Sequence, residues 1–201
     1  RRMCGRRRLI CGGLLGAAVL VVILAVSLRS GAGAPGFSPD RAVIFAKLAG
    51  AAYCSKETLE NWTCGEKCIP GMKLPVRVCQ GETTQAYIGI WNGRALVAFE
   101  GTTSTASMVQ DLRTWQEQTP LPWQSCTGCH VHTGFLQEWK SLRACVETSL
   151  AAAGAAQGSQ IALVGHSLGA AVSALAALGL NASGWPIVEA YTFGMPRVGD
   201  A

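Results

Sequence analysis

The sequence predicts an α/β fold, a mostly parallel sheet flanked by helices, preceded by one N-terminal transmembrane helix. An apolar run from Gln160 to Val164 stands before a Gly-rich turn and an Ala- and Leu-rich helix pattern, Leu168 to Leu180, and a second apolar run, Ile187 to Phe193, follows. Strand, helix and strand in this order indicate a parallel βαβ unit. The transmembrane helix is predicted from Leu9 to Leu28, 20 residues without a charge, which is long enough to cross a hydrocarbon core of about 30 Å.

Basic residues are concentrated before this uncharged run. The chain has 17 Lys and Arg against 12 Asp and Glu, and five of the arginines lie within residues 1–8. Outside residues 1–8 the numbers of basic and acidic residues are equal, so no basic face for nucleic acid is expected. Residues 1–8 are predicted to stay cytoplasmic, with residues 9–28 as a retained signal-anchor and the domain lumenal or extracellular. The alternative is a cleaved signal peptide, whose apolar region usually spans about 7–15 residues, and a secreted chain.

A linker is predicted over residues 29–39, which are rich in Gly, Ala, Pro and Ser, and a single domain over residues 40–201. The dipeptide Asn92-Gly93 is typical of a tight hairpin turn between two strands. The elements expected ahead of the βαβ unit are a helix over Arg41–Tyr53 capped by Asp40, strands over Gln85–Trp91 and Arg94–Phe99, and helices over Ser107–Gln118 and Phe135–Ala153.

Seven of the nine cysteines lie in the domain, which favours an oxidising compartment. Because seven is odd, at least one of them lacks a partner within the chain. Two pairs are spaced to close small loops, Cys64 with Cys68 and Cys126 with Cys129. Zinc binding by the second pair and the adjacent histidines is the alternative, but secreted cysteines usually oxidise, so no metal is expected. Two glycosylation sequons begin at Asn61 and Asn181.

The segment Gly165-His-Ser-Leu-Gly169 fits the nucleophile elbow, G-x-S-x-G, in which a strained strand-to-helix turn exposes a serine hydroxyl above a sheet. The competing interpretation is an ordinary Gly-Ser turn in a βα unit, but the predicted strand and helix on either side favour the elbow. Ser167 would attack an ester carbonyl and form an acyl-enzyme, while a histidine takes its proton. The backbone N–H of Leu168 would be the first oxyanion donor.

Several segments together resemble the class 3, or fungal-type, lipases of the α/β-hydrolase fold. The resemblance rests on five segments in order: Ala52-Tyr-Cys54 with Trp62-Thr-Cys64, Phe99-Glu-Gly-Thr102, Cys126 to Phe135, the elbow, and Tyr191-Thr-Phe-Gly-Met-Pro-Arg-Val-Gly199. It implies a serine ester hydrolase acting on lipid esters of the acylglycerol type, with no cofactor and no metal. A phospholipase or a soluble-ester esterase on the same fold is the alternative, since a fold does not determine a substrate.

The resemblance also implies roles for residues near the elbow. Thr102 would supply the second oxyanion donor through its backbone N–H and its hydroxyl, Asp111 would support that hydroxyl, and residues 103–110 occupy the position of a mobile lid. Glu100 stands where the family has an arginine and is expected to alter a structural ion pair. Ala170 replaces a second glycine after the elbow, a change that should be tolerated.

The acid and base of the triad follow the serine in this family. After Ser167 the sequence has only the acids Glu189 and Asp200 and no histidine, and Asp200 matches a polar residue of the family, not its triad acid. The three histidines, His130, His132 and His166, precede the serine and are expected to be structural. We therefore expect an N-terminal part of a longer enzyme, with the triad Asp and His and a partner for Cys54 downstream. A catalytically inactive anchored fragment is the other possibility.

Overall fold

The computed structural model describes residues 38–103, 118–120, 122 and 128–200. A compact unit begins at Pro39. Its helices are α1 (Pro39–Ala51), α2 (Lys56–Glu60), α3 (Thr133–Ala152) and α4 (Leu168–Ala182). Its strands are β1 (Met72–Gln80), β2 (Gln85–Trp91), β3 (Arg94–Phe99), β4 (Gln118–Pro120), β5 (His130–His132), β6 (Ile161–His166) and β7 (Ile187–Phe193).

Five of these strands form one sheet in the order β1-β2-β3-β6-β7, and β4 pairs with β5 separately. The pairs β1–β2 and β2–β3 are antiparallel, whereas β3–β6 and β6–β7 are parallel. The described sheet is therefore mixed, which corrects the expectation of a mostly parallel one. The reason is local: the Asn92-Gly93 turn returns the chain directly, so β2 and β3 run in opposite directions.

Helices cover both faces of the sheet. Along β3 the side chains alternate, so that Val97 and Phe99 pack on the face of α3 and α4, while Leu96 and Ala98 pack on the face of α1. These side chains are almost fully buried. Strands buried on both faces explain the near-continuous apolar runs in the sequence.

Most predicted elements are present with shifted ends. Helix α1 begins at Pro39, which the sequence assigns to the linker, because proline suits the first helical turn and leaves Asp40 inside that turn. Strands β2, β3 and β7 have the predicted bounds. Strand β7 stands at the end of the described sheet, and its side chains alternate between half-buried and exposed. Of the helix predicted over Ser107–Gln118, residues 107–117 lie outside the described residues, and Gln118 begins β4.

Two complete disulfide bonds lie within the described residues of the domain. Cys64 is bonded to Cys68, four residues away, as the spacing predicts. Cys79 in β1 is bonded to Cys145 in α3, 66 residues away, a pairing that spacing alone does not indicate. Cross-links that close long loops remove the most entropy from the unfolded chain. The other cysteines of the domain are Cys129, which is disulfide-bonded, Cys126, which lies outside the described residues, and Cys54, which is free among the described cysteines.

A buried carboxylate joins α3 to the turn between β1 and β2. Glu138 is 3% exposed and accepts hydrogen bonds from the backbone N–H and the hydroxyl of both Thr83 and Thr84, at 2.7 to 3.4 Å. A buried charge is tolerated only when such donors replace its water. The turn is therefore held at the same end of the sheet as the elbow.

An ion-pair network joins α1, β3 and β7. Both oxygens of Glu189 accept hydrogen bonds from Arg41, and Glu189 Oε2 also lies 3.1 Å from Arg94 Nη1. The Glu189 side chain is only 15% exposed. Hydrogen bonding from Arg41 holds the pKa of Glu189 below its usual value, and the same bond raises the pKa of Arg41. Since the two arginines come from different elements, the network fastens α1 to the sheet.

Substituting Glu189→Gln is expected to lower the free energy of unfolding by roughly 1–3 kcal/mol at pH 7. A carboxylate with a lowered pKa in the folded state stabilises the fold above its unfolded pKa of about 4.3. The stabilisation is lost as the pH falls through the lower folded value, so wild type and variant should converge in stability in acid. Urea unfolding at pH 7 and in acid measures both effects.

The matched control is Glu60→Gln, which removes an exposed ion pair to Lys56 with an Nζ to Oε1 distance of 3.8 Å. An exposed pair of this kind contributes at most about 0.5 kcal/mol. Equal losses for the two variants, or a Glu189→Gln deficit that persists in acid, would contradict the assignment of the network as stabilising.

Candidate active site

Ser167 occupies the sharp turn between β6 and α4. Its backbone has φ 54° and ψ −123°, a strained conformation for a residue other than glycine. The turn is possible only because its neighbours are small. A Cβ on Gly165 would lie 2.2 Å from the Gly169 carbonyl oxygen, and a Cβ on Gly169 would lie 2.3 Å from the carbonyl oxygen of Phe99. The Ser167 side chain is consequently placed at the end of the sheet, half-buried, at the first turn of a helix.

The segment after β3 reaches the same place. Phe99 pairs with Gly165 in the parallel ladder, so Gly101 and Thr102 leave the sheet next to the elbow. The Thr102 hydroxyl is buried and has no hydrogen-bond partner among the described residues. Buried polar atoms are nearly always paired, so such an exception calls for a reason. Leu168 begins α4, where the first backbone N–H groups have no partner within the helix. The two segments expected to supply oxyanion donors, at Thr102 and at Leu168, therefore both adjoin Ser167.

Tyr53 connects α1 to this end of the sheet. Its hydroxyl lies 2.7 Å from Nδ1 of His166, the residue before the serine. Burial raises the pKa of the phenol, and the neighbouring backbone of Gly101 opposes this rise. The ring of His166 is thus engaged by Tyr53. Tyr53 was not predictable as a site residue, because it lies far from the elbow along the chain and no motif joins the two.

The other histidines are engaged at β5. His130 Nδ1 lies 3.1 Å from Oδ2 of Asp200, and the His130 backbone N–H donates to the same carboxylate at 2.7 Å, which lowers the Asp200 pKa. The His132 ring stacks on Phe135 with 4.2 Å between centroids. Among the described residues, the structure records no hydrogen bond between a histidine and the Ser167 hydroxyl.

Two described residues depart from the family pattern, Glu100 and Ala170. Glu100 accepts a hydrogen bond from the backbone N–H of Gln85 at 3.2 Å, and its own N–H donates to the Gln85 carbonyl at 2.9 Å. Burial raises the pKa of the Glu100 carboxyl. Glu100 thus makes hydrogen bonds with the backbone of Gln85 at the position where the family's arginine would form an ion pair. Ala170 is fully buried. Asp111 and the predicted lid residues 104–110 lie outside the described residues.

Solved structures share this architecture. A crystal structure of mono- and diacylglycerol lipase from Aspergillus oryzae is similar to the chain with a TM-score of 0.66 and 25% identity, covering 83% of this chain and 65% of that one. The Lip2 lipase of Yarrowia lipolytica gives a TM-score of 0.66 at 23% identity, covering 81% and 61%. At 23% identity, the similarity to the Yarrowia lipolytica lipase supports only a shared fold.

Similar sequences come from secreted fungal lipases. Secreted mono- and diacylglycerol lipase 2 of Gibberella zeae is 45% identical over 121 residues, which cover 52% of this chain and 30% of the relative. Secreted mono- and diacylglycerol lipase 1 of Fusarium solani is 31% identical over 163 residues, covering 76% and 47%. The chain thus spans less than half the length of these relatives.

These relatives correct the expected location. The single-pass membrane assignment is wrong, because the similar proteins are named as secreted. None of the described helices has the length and hydropathy that a membrane span requires. Leu9 to Leu28 lies outside the described residues. The error has a physical origin. Anchors and signal peptides share a basic flank and an apolar run and differ mainly in length, so the pattern separates them poorly.

A family model described as Lipase (class 3) matches residues 96–201, slightly more than half of the chain. The match includes the segment with Thr102, the elbow with Ser167, and β7. It agrees with the sheet order, the strained serine and the solved lipases that share the fold. The chain therefore belongs to the class 3 lipase family.

Proposed function

We propose that the protein is a carboxylic ester hydrolase that cleaves acylglycerols through an acyl-enzyme formed on Ser167. The observation that carries the proposal is the Ser167 turn, with φ 54°, beside a buried Thr102 hydroxyl that has no partner among the described residues. A strained serine next to an unpaired donor is costly for the fold and useful for acyl transfer.

In the proposed reaction, the Ser167 hydroxyl oxygen attacks the ester carbonyl carbon and its proton passes to a base. The carbonyl oxygen becomes an oxyanion, which the backbone N–H of Leu168 and the hydroxyl and N–H of Thr102 stabilise. The tetrahedral intermediate then collapses, the alcohol leaves with a proton, and water hydrolyses the acyl-enzyme. We propose that none of the three histidines is the base, since Tyr53 holds His166, Asp200 holds His130, and the His132 ring stacks on Phe135.

The substrate class is inferred from the relatives. Those from Gibberella zeae and Fusarium solani are named mono- and diacylglycerol lipases, and so is the Aspergillus oryzae structure. We extend this to the present chain and propose that residues 40–201 form the serine-bearing part of a lipase domain.

We also propose that the protein is secreted, with residues 1–28 acting as the export signal and residues 29–38 as a linker. The supporting observations are the secreted relatives and the disulfides Cys64–Cys68 and Cys79–Cys145. A further proposed pair is Cys126 with Cys129. Asn61 and Asn181 are exposed, which suits glycosylation of both sequons.

The proposal is tested by a substrate panel with the secreted polypeptide at its natural full length. Emulsified mono-, di- and triacylglycerols, phosphatidylcholine vesicles and a water-soluble p-nitrophenyl ester would be compared by titration of released acid. We expect the acylglycerols to give the highest kcat/KM. A preference for phosphatidylcholine would indicate a phospholipase, and turnover of the soluble ester alone would indicate an esterase; either result contradicts the proposal.

A further inference from the structure

Tyr53 lies between the oxyanion segment, which is Gly101 and Thr102, and the nucleophile elbow, which is Gly165 to Gly169. Hydrogen bonds to the backbone on either side of Tyr53 fix its position. Its flanking carbonyls, those of Ala52 and Cys54, both accept hydrogen bonds from the buried amide of Gln85, at 3.0 and 2.7 Å. The backbone of Gln85 is in turn paired with Glu100, the residue before Gly101. Tyr53 is therefore held by the same strand that holds the oxyanion segment.

Gly101 gives the phenol access to this segment. A Cβ on Gly101 would lie 2.2 Å from the Tyr53 hydroxyl oxygen and 2.5 Å from the backbone carbonyl oxygen of His166. No side chain fits in that space. The glycine thus allows the phenol, the oxyanion segment and the elbow to meet at one point.

The hydrogen bonds at this point have a direction. The Tyr53 oxygen lies against Gly101, whose backbone N–H can only donate, so this contact favours the oxygen as an acceptor on that side. The phenol proton then needs an acceptor, and Nδ1 of His166 lies 2.7 Å away. A proton on Nδ1 would point at the same oxygen and leave the phenol proton without this partner. A phenol that donates to Nδ1 leaves the imidazole proton on Nε2.

We propose that Tyr53 is a positioning residue that couples the oxyanion segment to the nucleophile elbow through a relay in which its hydroxyl packs against Gly101 and bonds to Nδ1 of His166. The inference rests on the proposed function of Ser167 and Thr102 and adds a third element to it. Both ends of the relay adjoin a reacting group: Gly101 precedes Thr102, and His166 precedes Ser167. A bond that fixes both fixes the distance between nucleophile and oxyanion donor, on which rate depends steeply.

The test is Tyr53→Phe in the full-length enzyme, which keeps the ring and removes the hydroxyl. We expect kcat on an acylglycerol emulsion to fall roughly 10- to 100-fold with KM nearly unchanged. The matched control is Tyr87→Phe, because that buried hydroxyl donates to the Leu48 carbonyl at 2.9 Å, away from the site. Tyr87→Phe should keep kcat even if it lowers the melting temperature more. Unchanged kcat in Tyr53→Phe, or equal losses in both variants, would overturn the proposal.

Substitutions of His166 probe the other end of the relay. His166→Asn retains an acceptor close to the position of Nδ1 and should keep most of the activity, whereas His166→Leu should resemble Tyr53→Phe. The double variant Tyr53→Phe with His166→Leu should be no slower than the slower single variant, because both remove the same link. Additive losses would mean that the two side chains act independently, and would refute the relay.

A spectroscopic measurement separates failure of the relay from failure of the proposed function. The ¹⁵N chemical shifts of His166 report which ring nitrogen carries the proton, with or without catalysis. We expect protonated Nε2 and bare Nδ1 in the wild type, and a mixture of tautomers in Tyr53→Phe. Protonated Nδ1 in the wild type would refute the relay. If Ser167→Ala retained full activity while the tautomer was as expected, the proposed function would fail and the relay would remain as a structural feature.

Discussion

Replacing Ser167 by alanine is expected to abolish ester hydrolysis, with kcat falling by roughly 10⁴- to 10⁶-fold. The substitution removes the only atom that can form the proposed acyl-enzyme, while binding and the oxyanion donors remain. Residual turnover should therefore be close to what those features achieve alone, roughly 10³- to 10⁴-fold over water. Labelling by a fluorophosphonate should be lost together with turnover, and both are measured on the secreted full-length enzyme.

The chain offers a matched control on the same helix. Ser173 lies in α4, is 1% exposed, and its hydroxyl has no hydrogen-bond partner among the described residues. Ser173→Ala removes the same atom type, six residues further along, and should leave kcat and labelling unchanged. Turnover by Ser167→Ala close to that of Ser173→Ala would show that a different group is the nucleophile.

The elbow was predictable because its constraints are local. Gly165 and Gly169 are required by contacts within a few residues of Ser167 or with the adjacent strand, so five consecutive letters carry most of the geometry. The same holds for the hairpin at Asn92-Gly93, where both residues have positive φ. Such features depend on backbone sterics, which the residue types reveal directly.

Features that depend on distant segments were not predictable in the same way. Strand β1 contains Pro75 and the exposed residues Lys73 and Arg77. These residues suit an edge strand, but they obscure the alternation of apolar and polar residues by which a strand is recognised in a sequence. Its disulfide to α3 spans 66 residues. Glu138 occupies a position typical of an exposed helix acid, and only the fold brings it to the β1–β2 turn. In each case the partner is chosen by tertiary packing and leaves no local signal.

The position of Tyr53 illustrates the same limit within the site. The resemblance to the family includes the segment Ala52-Tyr-Cys54, yet it assigns no role to the phenol. Its partners, Gly101 and His166, come from two other segments that meet only when β3 and β6 pair in parallel. The residues that perform the proposed chemistry were thus identifiable from motifs, whereas the residue that relates them to one another required the fold.

Replacing Thr102 by alanine is expected to lower kcat by roughly 10²- to 10³-fold and to change KM little. An oxyanion donor stabilises charge that is absent from the bound substrate, so its loss affects the chemical step and not binding. Thr102→Val, which keeps the volume and removes the hydroxyl, should behave like Thr102→Ala, whereas Thr102→Ser should retain most of the activity. Steady-state kinetics on an emulsified acylglycerol distinguish these outcomes, with Thr148→Ala, an exposed threonine of α3, as the control.

The Thr102 variants that lose activity should not lose thermal stability. A buried hydroxyl without a partner loses its hydration and gains nothing in return, so its removal is expected to leave the melting temperature unchanged or to raise it slightly. Because Thr102 adjoins the Ser167 turn, whereas Ser173 lies six residues further along α4, the unpaired hydroxyl of Thr102 is best explained by a partner that exists only in the transition state. If Thr102→Val destabilised the fold by about 1 kcal/mol or more and left kcat intact, the hydroxyl would be structural, and only the Thr102 backbone N–H could serve the oxyanion.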